Sequence, residues 1–110
     1  MPNVVINSFC KIGDFCIINT SATIDHDCLI GDGVHIMGGA SIAGNVKIGS
    51  YATIGTNSTI FPNIEIGESS IVGAGAVVNK NVPKNTVVVG NPAKFLKKNY
   101  ERFNLDIFNS

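Results

Sequence analysis

The bulky aliphatic residues of this chain recur every six positions. From Ile6 the series runs through Ile12, Ile18, Ile24, Ile30, Ile36, Ile42, Ile48, Ile54, Ile60, Ile66, Val72 and Val78, with no break in register. An amphipathic helix repeats near 3.6 residues and a half-buried strand at 2, so neither explains a strict period of six. Two positions before each aliphatic the side chain is mostly small, as at Cys10, Cys16, Ala22, Cys28, Ala40, Ala52, Ser58, Ser70 and Ala76. Directly after it, ten of the thirteen residues are Gly, Asn or Asp. These types tolerate φ > 0, so the pattern puts tight turns at that position.

The pattern predicts short β segments, each turning one bulky side chain inward, with a corner every six residues. Three segments close a triangular coil of eighteen residues, and coils stack at the roughly 4.7–4.9 Å spacing of paired strands. The expected fold is all-β, a parallel β-helix of hexapeptide repeats over residues 1–90. Spacing alone does not give the hand of the coil. Residues 91–110 are expected to form a short C-terminal α-helix and tail. Pro92 suits a first helical position, and Leu96, Tyr100, Phe103 and Ile107 recur at helical intervals, giving a helix over roughly 92–107.

Eight basic residues balance eight acidic ones among 110 residues, so net charge points to no nucleic-acid partner. The basic residues cluster late, however: Lys80, Lys84, Lys94, Lys97, Lys98 and Arg102. No apolar run approaches the ~20 residues of a membrane-spanning helix, and no membrane partner is expected. Cys10, Cys16 and Cys28 are odd in number and lack CxxC spacing. They fit buried thiols of a cytoplasmic protein better than a disulfide framework or a zinc site.

Both histidines lie in ATIDHDCLIGDGVHI, residues 22–36. Stacking by eighteen puts His26 at a corner, in a column with Ser8, Gly44, Pro62 and Lys80. His35 directly precedes Ile36 and faces outward on another side of the same coil, so the two histidines meet only across a subunit interface. Asp25 reads as a turn former. Asp27 is placed to hydrogen-bond the His26 imidazole and raise its basicity. Gly44, one coil along, offers a bare backbone N–H of the kind an oxyanion site needs. From the residues alone, this cluster is either an acid–base site or solvated decoration of a repeating scaffold.

The motifs INTSATIDHDCLIGDGVHI, AGNVKIG, IGTNSTIFPN, IVGAGAVVNKNVP and VVGNPAK resemble the hexapeptide-repeat acyltransferases. The nearest subgroup is the bacterial sialic-acid O-acetyltransferases and bacillosamine-pathway amino-sugar N-acetyltransferases. The resemblance implies a left-handed coil, a homotrimer with sites between subunits, and acetyl transfer from acetyl-CoA to an amine or hydroxyl of a sugar or nucleotide-sugar. It implies His26 as general base, Asp27 as the carboxylate orienting it, and Gly44 N–H as oxyanion donor. His35, Thr56, Ala74 and Lys94 would contact coenzyme A, and Asn19 would touch the acceptor or help place His26. Direct transfer is implied, with no metal. Gly38, Thr56 and Ala74 are spaced by eighteen, so they also form one column along the prism.

The subgroup usually carries a nucleotide-sugar-binding domain before the prism, whereas this chain opens already in register. The expectation is either a natural short form or the catalytic half of a larger protein. The main alternative is a non-catalytic hexapeptide-repeat scaffold or regulatory module. A γ-class carbonic anhydrase uses the same prism with three histidines on zinc, and this chain has two.

Overall fold

The computed structural model describes residues 4–99, and these build a parallel β-solenoid of about five turns. Each coil contributes three short strands to three flat faces. The first face holds β1 (Val5–Ile6), β4 (Thr23–Ile24), β7 (Ser41–Ile42), β10 (Thr59–Ile60) and β13 (Val77–Val78). The second holds β2 (Lys11–Ile12), β5 (Leu29–Ile30), β8 (Lys47–Ile48) and β11 (Glu65–Ile66). On the third lie β3 (Ile17–Ile18), β6 (His35–Ile36), β9 (Thr53–Ile54), β12 (Ile71–Val72), β14 (Thr86–Val89) and β15 (Lys94–Lys98).

Register is eighteen residues per coil, as in Val5 with Thr23 and Lys11 with Leu29. The last coil is two residues shorter: Ile66 bridges Val82, and Ile71 pairs with Val87. Inside the prism the six-residue series forms stacked columns in which Ile24, Ile36, Ile54 and Ile60 are fully buried. Burial of each such side chain is worth about 1.5–3 kcal/mol before conformational entropy is subtracted. Ile6 of the first coil stays 45% exposed, because no described coil covers it from below.

The small inward positions are more than space fillers. Cys10, Cys16 and Cys28 donate their thiols to the carbonyls of Asp25 (2.8 Å), Gly31 (3.0 Å) and Ala43 (3.2 Å), each fifteen residues on. Burial pushes the Cys28 thiol pKa up, which keeps it protonated and able to donate. Ser58 Oγ bonds the Gly55 carbonyl at 2.7 Å, and among the described residues no buried side-chain nitrogen or oxygen lacks a partner.

The turn geometry differs from the sequence expectation. Positive φ falls on the third residue after each aliphatic from Ile6 to Val72, not the first: Phe9, Phe15, Ser21, Asp27, Gly33, Gly39, Asn45, Tyr51, Asn57, Asn63, Ser69 and Gly75. The glycines directly after the aliphatic serve close approach between coils instead. A Cβ on Gly31 would stand 2.7 Å from Ser50 N, and one on Gly49 would stand 2.5 Å from Glu68 N.

The expected C-terminal helix is also corrected. Lys94–Lys98 forms β15, antiparallel to β14 with an irregularity between Val87 and Val88. The open edge of the last strand on the third face outcompetes the helical spacing of the side chains, because β15 pairs backbone groups that β14 would otherwise leave bare. Tyr100, Phe103 and Ile107 lie outside the described residues.

Two substitutions test this account of the corners. Gly49→Ala should cost about 1–3 kcal/mol, since its new methyl meets backbone that cannot yield without parting two coils. Gly75→Asn should be nearly neutral, because a Cβ at Gly75 meets nothing within 4 Å and Asn tolerates φ of +70°. Urea unfolding midpoints of the two variants would check both.

Candidate functional site

The first corner, joining the first face to the second, carries His26. Asp25 lies directly after Ile24, and its carboxylate Oδ1 accepts the His26 backbone N–H at 2.8 Å and the Asn7 Nδ2–H at 3.0 Å. The His26 N–H, and then the Asn7 amide, hold the Asp25 carboxyl below its ordinary pKa. A lowered folded-state pKa means that this bonding favours the folded corner above the ordinary carboxylate range. It is lost as pH falls through the lower folded value.

Asp27 takes the positive φ of the turn, +59°, and this brings its carboxylate round to the imidazole: Asp27 Oδ2 lies 3.1 Å from His26 Nδ1. Both side chains are more than half exposed, at 61% and 56%. A carboxylate only accepts, so in the neutral ring this contact places the proton on Nδ1 and leaves the Nε2 lone pair free. The imidazole lies against Gly44 of the next coil, where a Cβ would stand 2.8 Å from both Cε1 and Nε2. Gly44 is therefore buried beneath the ring. Its N–H enters none of the hydrogen bonds among the described residues, as at the equivalent Gly38, Ser50 and Thr56, whereas side chains satisfy those of His26, Asp14 and Asp32.

The residues expected to contact coenzyme A lie elsewhere on the same chain. His35 faces outward from β6 on the third face, and its Nε2 lies 3.1 Å from Asn19 Nδ2. Asn19, expected to touch the acceptor or to help place His26, is the hydrogen-bonding neighbour of His35. An outward side chain and a corner residue one coil below share an edge, a relation the eighteen-residue spacing could have shown. Thr56 and Ala74 follow at the third corner in one column with Gly38, linked by Asn57 N–H to Gly38 O and Gly75 N–H to Thr56 O. Lys94 begins β15 and lines a cavity of about 450 Å³ with Lys80, Lys98 and Phe95. His26, Asp27 and Gly44 therefore converge on the first corner. His35, Asn19, Thr56 and Ala74 gather at the third face and third corner. The first face separates the two groups within one chain.

Sequence reading missed Asn7, and it gave Asp25 only a turn. The signal was the column itself, since Asn7 and Asp25 are eighteen residues apart. Among the described residues, no group of three or more His, Cys, Asp or Glu side chains is placed to hold a metal ion.

Residues 1–104 match the family model described as the GMPPB C-terminal domain. The chain belongs to that family. Solved acetyltransferase structures share the fold and much of the sequence. A mutant perosamine N-acetyltransferase from Caulobacter crescentus, in complex with CoA and GDP-perosamine, is 38% identical with a TM-score of 0.86, over 87% of this chain and 46% of that one. WeeI from Acinetobacter baumannii is 43% identical with a TM-score of 0.84, over 86% of this chain and 47% of that one. The acetyltransferase domain of PglB from Neisseria gonorrhoeae, in complex with acetyl coenzyme A, is 33% identical with a TM-score of 0.78, over 86% and 55%. These neighbours bear out the resemblance to hexapeptide-repeat acetyltransferases. The chain spans about half the length of the solved structures it matches. No curated protein matches the sequence.

Gly44→Ala tests the packing of the ring. The new methyl meets an exposed side chain and not backbone, so stability should change by no more than about 0.5 kcal/mol. The imidazole should nevertheless leave Asp27. Nitrogen-15 NMR of the ring should then show the Nδ1–H tautomer giving way to a mixture, and an unchanged spectrum would contradict the packing described.

Proposed function

We propose that this chain is the acetyl-transfer prism of an enzyme that moves an acetyl group from acetyl-CoA to an amine or hydroxyl of a sugar or nucleotide-sugar. The observation that carries this reading is the first corner: His26, held through Nδ1 by Asp27, lies over a bare Gly44 in a fold shared with CoA-bound acetyltransferases. In this reading His26 Nε2 takes the proton from the acceptor as it attacks the thioester carbonyl. Asp27 stabilises the imidazolium that results. The Gly44 N–H donates to the oxygen that becomes negative. Collapse of the tetrahedral intermediate expels the coenzyme thiolate, which recovers the proton from Nε2. Both bonds change hands without a covalent enzyme intermediate or a metal.

The working unit is a homotrimer of left-handed coils, with each site formed by the first corner of one subunit and the third face of the next. Support comes from the outward side chains. Those of the first face, Val5, Thr23, Ser41, Thr59 and Val77, carry no charge, whereas the second face presents Lys11, Lys47 and Glu65. An uncharged face loses little on leaving water, and a charged one belongs in it. Asn19, Thr56 and Ala74 would border the coenzyme arm beside His35, and Lys94 would meet its phosphates. Three free thiols suit the cytoplasm.

The decisive assay follows thiol release from acetyl-CoA with nucleotide-linked and free amino sugars. His26→Ala, with its fold verified by circular dichroism, should lower kcat/KM by about 10²–10⁴-fold. A folded mutant with wild-type rates would remove His26 from the chemistry. Failure of the wild-type chain to bind coenzyme A would favour the non-catalytic scaffold. Sites between subunits predict complementation: His26→Ala and His35→Ala chains, each impaired alone, should recover part of the activity when refolded together. Sites within single chains would recover none.

A further inference from the structure

The position directly after the inward aliphatic is treated differently at the corner that carries His26. At the second corner it is glycine in the first four coils: Gly13, Gly31, Gly49 and Gly67. At the first corner it is Asn7, Asp25, Ala43, Phe61 and Asn79, with no glycine. Asn7 and Asp25 are stacked one coil apart and joined through Asn7 Nδ2–H to Asp25 Oδ1 at 3.0 Å. That same oxygen accepts the His26 N–H at 2.8 Å. Three further bonds hold the peptide units around it: the Cys10 thiol to Asp25 O at 2.8 Å, Asp27 N–H to Ser8 O at 3.2 Å, and Asn45 N–H to His26 O at 2.9 Å.

Two orientations thus fix the imidazole. Its Nδ1 is held by Asp27, and the backbone from which it springs is held by Asp25. We propose that Asp25 and Asn7 are positioning residues for His26. The Asn7 amide orients the Asp25 carboxylate, and the carboxylate pins the His26 N–H so that the side chain leaves the corner over Gly44 with Nδ1 on Asp27. What Asp25 contributes is an acceptor oxygen in a set place. The lowered pKa of Asp25 agrees, because its largest cause is the His26 N–H and its second is Asn7. The ionisable groups near this carboxylate are His26 and Asp27 on its own corner and the Cys10 and Cys28 thiols on the inner side. The stacked third-coil residues Ala43, Gly44 and Asn45 bring no charge.

The kinetic half of the test rests on the acetyl-transfer reading, and the spectroscopic half does not. Asp25→Ala, Asp25→Asn and Asn7→Ala would be made in the full chain, with melting temperatures to verify folding. Asp25→Ala should lower kcat by about 10- to 100-fold and leave KM for acetyl-CoA within about twofold, as a displaced base would. Its ring nitrogen-15 spectrum should lose the single Nδ1–H tautomer. Asp25→Asn keeps an oxygen for the His26 N–H, so it should retain most of kcat and the wild-type spectrum. Asn7→Ala should fall between. An Asp25→Asn variant as impaired as Asp25→Ala would show that charge, not placement, is what Asp25 supplies, and the proposal would fall. An Asp25→Ala spectrum identical to wild type would overturn it equally. Should the wild-type chain transfer acetyl to no acceptor, the functional reading fails, while the spectra still decide whether Asp25 sets the ring.

Discussion

Everything in this molecule depends on one hydrogen-bond relation between coils. The N–H groups on either side of an inward aliphatic reach carbonyls seventeen residues on: Leu29 to Val46, Gly31 to Ile48, His35 to Ala52. Once that ladder is set, residues eighteen apart are neighbours whether or not their side chains suit each other. Inside, the consequence is a column of isoleucines. At the second corner, it is a requirement for glycine, because a Cβ there would press on the backbone of the coil above. At the first corner, the same relation lays the His26 imidazole on Gly44. Core and candidate site are two results of one stacking rule.

That rule also explains what could be read in the sequence. A period set by backbone geometry leaves its mark on every sixth residue, so the inward series, the corners and the columns were legible as far as Val78. The pairing of His26 with Asp27 was legible too, because neighbours at a corner need no tertiary information. Which corner residue takes positive φ was not. Composition suggested the glycines after each aliphatic, but their glycine content answers to coil spacing, while the strained turn accepts Phe9, Phe15 and Tyr51. The contact of Asn19 with His35 was not legible either, because a side-chain contact across an edge depends on the direction each residue leaves the coil. The C-terminal segment misled for a different reason. Its apolar spacing is helical, yet Lys94–Lys98 lies beside an open strand edge, and unpaired backbone groups outweigh a side-chain pattern.

The first corner shows how a repeat acquires a specialised place without losing register. At the second corner the residue after the aliphatic is chosen for the coil above it, most plainly at Gly31 and Gly49. Here Asn7 and Asp25 keep their side chains and turn them to hydrogen bonding along the same column. The room that a larger residue needs is returned one position later, where Gly44 gives up its side chain under the His26 ring. The exchange is local. Neighbouring pairs such as Ile24 with Ile42 keep the standard register.

A prism of this kind has no interior in which to bury a substrate, because its inside is filled by the aliphatic columns. In the proposed trimer, the cleft that excludes water lies between prisms. The chain divides its polar outward residues accordingly. One group surrounds His26 at the first corner and another surrounds His35 at the third face. Between them lies a face of Val, Thr and Ser side chains, with a cavity of about 290 Å³. Alone, each group is a half-exposed set of hydrogen-bonding side chains with little power over a reacting carbonyl. Brought together by three-fold association, they would face one another across a groove whose walls are already shaped, since each wall is a rigid ladder of coils. In the proposed trimer, the stiffness that makes the fold readable from its sequence would also let two separate surfaces meet in a single catalytic geometry.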